Sequence, residues 1–236
     1  MTNASAHTLL ITGANRGIGL EFVRQSLADG WQVIATCRHP DRANELMALH
    51  KAHPAQLSVQ ELDVTDTAAI VRLARELKDR PIDWLLSNAG VYGPKGAPFG
   101  SVRNEDWVPV FAANTMAPLQ LMQAFVEQVA ASKLKLMATI SSKMGSMGDN
   151  TSGGSYIYRS TKAAVNAVVK SAAIDLAHRN ITCVVLHPGW VQTEMGGPNA
   201  EITPAESASR MRAHLAAAQP TGRGRFIDID GTTIPW

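Results

Sequence analysis

The 236-residue sequence lacks most features that mark specialised classes of protein. It has two cysteines, Cys37 and Cys183, and no Cys-x-x-Cys pair. A disulfide scaffold, a redox dithiol or a zinc site therefore has no sequence support, and both thiols read as buried and reduced. The seven histidines show no ligand spacing, so no metal is expected, and His187 reads as a satisfied strand-end residue. No stretch approaches the ~18 apolar residues of a membrane span. No basic segment followed by a long apolar run opens the chain, which reads as soluble and cytoplasmic. Charge is nearly balanced, 22 Lys plus Arg against 20 Asp plus Glu, which argues against nucleic-acid binding through bulk charge. Repeats, low-complexity tracts and linker-like charge runs are also missing, so a single domain over 1–236 is the economical reading.

What is present is alternation. Apolar runs of strand length at 8–12, 32–37, 57–62, 82–87, 134–141, 182–186 and 225–229 are separated by helical patterns. The helices are expected at 17–29, 41–51, 66–78, about 105–131 with breaks, 156–178 and 203–217. Apolar strands alternating with helices imply a parallel sheet covered on both faces. Right-handed crossovers then favour a single doubly wound Rossmann-type α/β domain of about seven strands.

Thr12-Gly13-Ala14-Asn15-Arg16-Gly17-Ile18-Gly19 joins the first strand to the first helix. Its glycines permit a tight turn and let a pyrophosphate approach the backbone, while amides at the helix N-terminus face the anion. The spacing is Gly-x-x-x-Gly-x-Gly rather than the commoner Gly-x-Gly-x-x-Gly. The second strand ends Ala35-Thr36-Cys37-Arg38, with no carboxylate for an adenosine ribose. Arg38, helped by Arg16, suits a 2′-phosphate instead, which favours NADP(H) over NAD(H). The bland alternative is that both arginines are solvated surface residues.

Tyr158 and Lys162 lie four residues apart at the start of the long helix and share its face. Alone, such a pair is weak evidence. Strand five, however, ends Ile140-Ser141-Ser142, at the sheet edge where ligands bind in open α/β folds. A hydroxyl there suits a carbonyl oxygen, and a tyrosine beside it suits proton delivery. Bringing a free tyrosine, pKa about 10, towards 7 takes ~4 kcal/mol, part of which a close ammonium can supply.

Together these residues resemble the short-chain dehydrogenase/reductase family over nearly the whole chain. Thr12 to Gly19 is similar to its cofactor turn, and Asp63-Val64 to the pair that flanks the adenine. Ser87-Asn88-Ala89-Gly90 resembles its Asn-Asn-Ala-Gly motif, with Ser in the first place. Asn114, Ser142, Tyr158 and Lys162 match the active-site asparagine, the catalytic serine, the acid/base and its partner. Pro188-Gly189-Trp190-Val191-Gln192-Thr193 matches the segment that closes over the nicotinamide. Within the family the likeness is to C-factor-like and Sniffer-like carbonyl reductases, mainly through the tail from Phe226 to Trp236.

The resemblance implies the strand order 3-2-1-4-5-6-7 and hydride transfer from NADP(H) to the carbonyl of a small-molecule substrate. Ser142 would orient the oxygen and Tyr158 protonate it. Lys162 would lower the tyrosine pKa and bind the ribose, and Asn114 would hold a relay water. Gly13, Asn15, Arg16, Gly17, Ile18, Gly19, Arg38, Asp63, Val64, Asn88, Ala89, Gly90, Tyr158, Lys162, Pro188, Gly189, Val191 and Thr193 would contact the cofactor. Asn88 has a second reading as a tie between strands, and Asn114 as a support for a helix kink before Pro118. Ser142 and Tyr158 are 16 residues apart, more than is usual, so 149–155 should loop out. Otherwise Ser141 or Ser146 becomes the candidate. A cofactor-binding signalling or regulatory protein is the alternative function. Two Ala/Val-rich helices imply a homodimer or homotetramer, unless both are simply buried within one subunit.

Overall fold

Seven parallel strands run through the computed structural model, which describes residues 6–236. They are β1 (Thr8–Thr12), β2 (Gln32–Cys37), β3 (Leu57–Glu61), β4 (Trp84–Ser87), β5 (Leu136–Ile140), β6 (Thr182–Leu186) and β7 (Arg225–Ile227). Their spatial order, β3-β2-β1-β4-β5-β6-β7, is the one expected, with the chain reversing direction across the sheet between β1 and β4. The helices are α1 (Gly17–Ala28), α2 (Asn44–Ala52), α3 (Thr67–Glu76), α4 (Asn104–Phe111), α5 (Ala117–Ala130), α6 (Tyr156–Asp175) and α7 (Pro204–Ala216).

The strands read as unbroken apolar runs because both faces are buried. Leu9, Ile11, Val33 and Ala35 pack on one side with Phe22, Leu46 and Met211 from α1, α2 and α7. Leu10, Ile34 and Leu85 pack on the other with Ile70, Phe125 and Val165 from α3, α5 and α6. Each such side chain contributes ~1.5–3 kcal/mol when fully buried. Cys37 and Cys183 are both buried, and burial pushes the Cys183 thiol up to about 12. No helix among the described residues is long and apolar enough to cross a membrane.

Several boundaries differ from the sequence-based expectation: α2 begins at Asn44 after a 3-10 turn at Pro40–Arg42, β4 begins at Trp84 rather than 82, and α6 ends at Asp175 rather than 178. Strand β5 starts at Leu136, not 134, because Lys135 is left-handed (φ 50°) and the Asp83 carboxylate takes the amides of Lys133 and Leu134. Strand β7 stops at Ile227 because the chain turns at Asp228, whose amide bonds Thr232 and whose carbonyl accepts from Gly231. The broken helix at 105–131 is α4 and α5 joined by a π-helical turn, Ala112–Met116.

Candidate active site

The chain leaves β1 through Gly13 (φ +66°) and enters α1 at Gly17 (φ +55°). Two glycines mark close approaches. A Cβ on Gly13 would stand 2.9 Å from the Ala89 Cα, and one on Gly19 would stand 2.3 Å from the Gly13 carbonyl oxygen. Asn88 ties the turn down: its Nδ2 donates to the carbonyls of Thr12 (2.8 Å) and Gly13 (3.0 Å). The Thr12 hydroxyl accepts from the amides of Asn88 and Ala89 at 3.1 Å each. No side chain caps α1, so the first-turn amides keep their anion-binding capacity, and Gly17, Ile18 and Gly19 line the adjoining cleft.

That cleft, about 700 Å³, runs from the second strand to the start of α6. Gly13, Asn15, Arg16, Gly17, Ile18, Gly19, Arg38, Asp63, Val64, Asn88, Ala89, Gly90, Tyr158, Lys162, Pro188 and Thr193 all line it. The glycine approaches, the uncapped helix and the rim cation Arg38 fit a phosphorylated dinucleotide. Arg16 is ion-paired with Glu194, which bridges the glycine turn to the segment after Thr193. The Asp63 carboxylate is occupied by the Thr65 amide and hydroxyl, which hold it below the usual carboxylate range; Arg38 adds to that. Leu62, Thr65, Gln192 and Glu194 also line the cleft. Gln192 belongs to the segment matched in the sequence; Leu62, Thr65 and Glu194 are not singled out there, because nothing local distinguishes them.

A second cleft of about 680 Å³ adjoins the first, and Ile18, Ser141, Tyr158, Pro188, Thr193 and Met195 belong to both. Ser142, Gly189, Val191, Met144 and Trp190 line only the second. Tyr158 is buried where the clefts meet. Of the candidate serines, Ser141 donates to Asn166 (2.7 Å) and Ser146 to the Pro235 carbonyl (2.5 Å). Ser142 is the one left beside Tyr158. The 149–155 segment does loop out: Arg159 grips it through the Gly153 carbonyl (3.1 Å) and the Ser152 hydroxyl (2.8 Å). Gly145 makes this possible, since a Cβ there would lie 2.7 Å from the Lys162 carbonyl carbon.

The Asn114 side chain is engaged with its neighbours. Its Oδ1 accepts from the Val91 amide (2.9 Å), and its Nδ2 donates to the Val91 carbonyl (2.8 Å) and the Thr161 hydroxyl (3.1 Å). Asn114 lies behind Gly90, where a Cβ would meet its Oδ1 at 3.1 Å. Pro118, four residues on, has no N–H to serve as the α-helical donor to the Asn114 carbonyl. The π-helical turn forms there.

Around Tyr158 and Lys162, burial is the dominant influence. Burial pushes the phenol up to about 12; the Ser142 hydroxyl opposes this and Tyr92 adds to it. Lys162 Nζ donates to the Ile140 carbonyl (2.9 Å) and stands 5.7 Å from the Tyr158 ring centroid. Burial brings its own pKa down to about 8. Desolvation is the largest influence on both groups.

The family profile of the short chain dehydrogenases matches residues 7–203. C-signal from Myxococcus xanthus is 40% identical over 156 residues, 66% of this chain and 93% of that protein. The carbonyl reductase Sniffer of D. melanogaster superposes with a TM-score of 0.91 at 32% identity, over 98% of this chain and all of that one. The NADPH-bound carbonyl reductase from chicken fatty liver superposes with a TM-score of 0.90 at 34% identity, over 98% of this chain and 99% of that one. With its glycine turn, its sheet order and its tyrosine–lysine pair, the chain belongs to the short-chain dehydrogenase family.

Proposed function

We propose that the protein is an NADP(H)-dependent carbonyl reductase acting on an aldehyde, ketone or quinone, with Tyr158 as general acid. The observation that carries this reading is the position of Tyr158, buried at the junction of the two clefts, with Ser142 on one side and Lys162 on the other. The NADPH-bound relative supports the choice of cofactor. Bound NADPH would supply the hydride. The residues of this chain do the rest. Gly13, Gly17 and Gly19 admit the pyrophosphate to the backbone. Ser142 holds the carbonyl oxygen, and Tyr158 gives it a proton. Lys162 holds the ribose, and Asn114 keeps the floor of the site in register by clamping Val91 to Thr161. Val108, Met116 and Ile174, exposed on α4, the π turn and α6, support self-association as a dimer or tetramer.

The test is NADPH oxidation with a panel of aldehydes, ketones and quinones. Turnover of at least one class supports the reading. Saturable NADPH binding without turnover would move the weight to a regulatory protein, a reading favoured by the 40% identity to C-signal.

Arg38 supplies a separate prediction. Arg38→Ala should weaken NADPH binding ~10–100-fold and leave NADH binding within ~3-fold, because only the 2′-phosphate needs the guanidinium. Fluorescence titration with both nucleotides measures this, and an equal loss for both would remove Arg38 from the phosphate site.

The pH dependence has a definite sign. A proton donor works in its protonated form, and burial keeps Tyr158 protonated to about 12. Loss of the Lys162 charge, near pH 8, comes first. Carbonyl reduction should therefore fall as pH rises through about 8, while alcohol oxidation, which needs the phenolate, should rise only at higher pH, towards the range where Tyr158 ionises. Paired pH–rate profiles check this.

A further inference from the structure

We propose that Tyr92 is a positioning residue: its ring fixes the ring of Tyr158, and its hydroxyl couples that ring to the glycine-rich segment over the substrate cleft. The inference rests on the reading of Tyr158 as general acid. Tyr92 follows the Asn88-Ala89-Gly90 floor in the loop between β4 and α4, and it lines the second cleft. Its ring stacks on Tyr158 with centroids 4.4 Å apart and planes 21° from parallel. Near-parallel stacking at this distance is attractive and restricts how far the Tyr158 phenol can swing.

Both ends of the device are anchored. The residue before it, Val91, is held by Asn114 through amide and carbonyl. The Tyr92 hydroxyl lies 2.9 Å from the Ser155 hydroxyl. Ser155 is the residue immediately before α6 and adopts the left-handed conformation (φ 47°), rare for a non-glycine. Tyr92 thus joins the end of the looped-out segment and the first turn of the helix that carries Tyr158. The groups facing the phenol are Ser142 after β5, Lys162 on α6 and Tyr92, with Lys95 beyond it at 5.9 Å from the Tyr92 ring. His187 and Asp149 line the same cleft. Removing the Tyr92 ring exposes Tyr158 to water, which eases ionisation.

The test compares Tyr92→Leu, Tyr92→Phe and Tyr158→Phe by kcat, KM, NADPH affinity, thermal midpoint and the pH profile of alcohol oxidation. Tyr92→Leu should lower kcat at least ~10-fold with NADPH affinity within ~2-fold, since misplacing the reacting group costs rate and not cofactor binding. The rising limb of its oxidation profile should also move to lower pH. Tyr92→Phe keeps the stack, so kcat should fall less than ~3-fold with the limb in place. A merely structural role would lower the active fraction without moving the limb. If the leucine variant does not fold, Tyr92→Met carries the same test. A limb that stays in place, or a kcat within ~2-fold of wild type, overturns the proposal while leaving Tyr158 as the acid. Full turnover by Tyr158→Phe overturns the general-acid reading and, with it, any positioning role.

Discussion

Tyr158→Phe should lower carbonyl reduction more than ~100-fold while NADPH still binds with near wild-type affinity. The substitution removes one hydroxyl from a buried ring and leaves the ring stacked on Tyr92. It leaves the Gly13 to Gly19 turn and Arg38 untouched, so the loss should fall on kcat. The neighbouring hydroxyls are already engaged, Tyr92 with Ser155 and Thr193 with the Val191 carbonyl among them. Ser141 is engaged with Asn166, Ser146 with Pro235, and Thr161 donates to the Tyr158 carbonyl while accepting from Asn114. Ser142 remains beside the missing phenol, and its ordinary hydroxyl is a far weaker acid. Steady-state NADPH oxidation and a fluorescence titration separate the two effects. A variant that keeps a tenth or more of wild-type turnover would show that the proton comes from elsewhere.

Gly19→Ala should be nearly as damaging through a different route. The added Cβ would lie 2.3 Å from the Gly13 carbonyl oxygen and 2.6 Å from Asn88 Nδ2. Neither contact is with a flexible chain end: one atom is backbone, and the other is held by its bonds to Thr12 and Gly13. The first turn of α1 must move away from β1, which spoils the pyrophosphate cradle. NADPH affinity should fall ~100-fold or more, and stability should drop by ~1–3 kcal/mol, the usual cost of overpacking. Gly30→Ala is the control. Gly30 also has positive φ (+78°), but nothing lies within 4 Å of its would-be Cβ and it is remote from the clefts. It should lose ~1 kcal/mol or less through strain, with NADPH binding intact. Urea unfolding and nucleotide titration of both variants decide the matter. Wild-type NADPH binding by Gly19→Ala would dissociate the glycine turn from the cofactor.

Much of this was legible without coordinates, and for a local reason. Periodicity and turn chemistry depend on neighbours within a few residues, so the strand–helix alternation, the glycine turn and the Tyr158–Lys162 pair can be read directly. Right-handed crossovers and apolar runs buried on both faces pointed to a doubly wound parallel sheet, and the resemblance to the family gave its strand order. The Ser142–Tyr158 juxtaposition survived an unusually long separation because Arg159 holds the loop aside.

Only the tertiary structure decided which polar groups are free. Asn114 looks available in the sequence, but packing spends its amide on Val91 and Thr161, 23 and 47 residues away. Asn88 likewise spends its amide on the glycine turn. Tyr92 carries no motif, and its contact with Tyr158 joins a loop to a helix 66 residues on. The direction of the Tyr158 pKa was also beyond sequence reasoning. Spacing can set a lysine beside a tyrosine, but desolvation depends on how much of the folded chain surrounds both, and here it raises the phenol and lowers the ammonium.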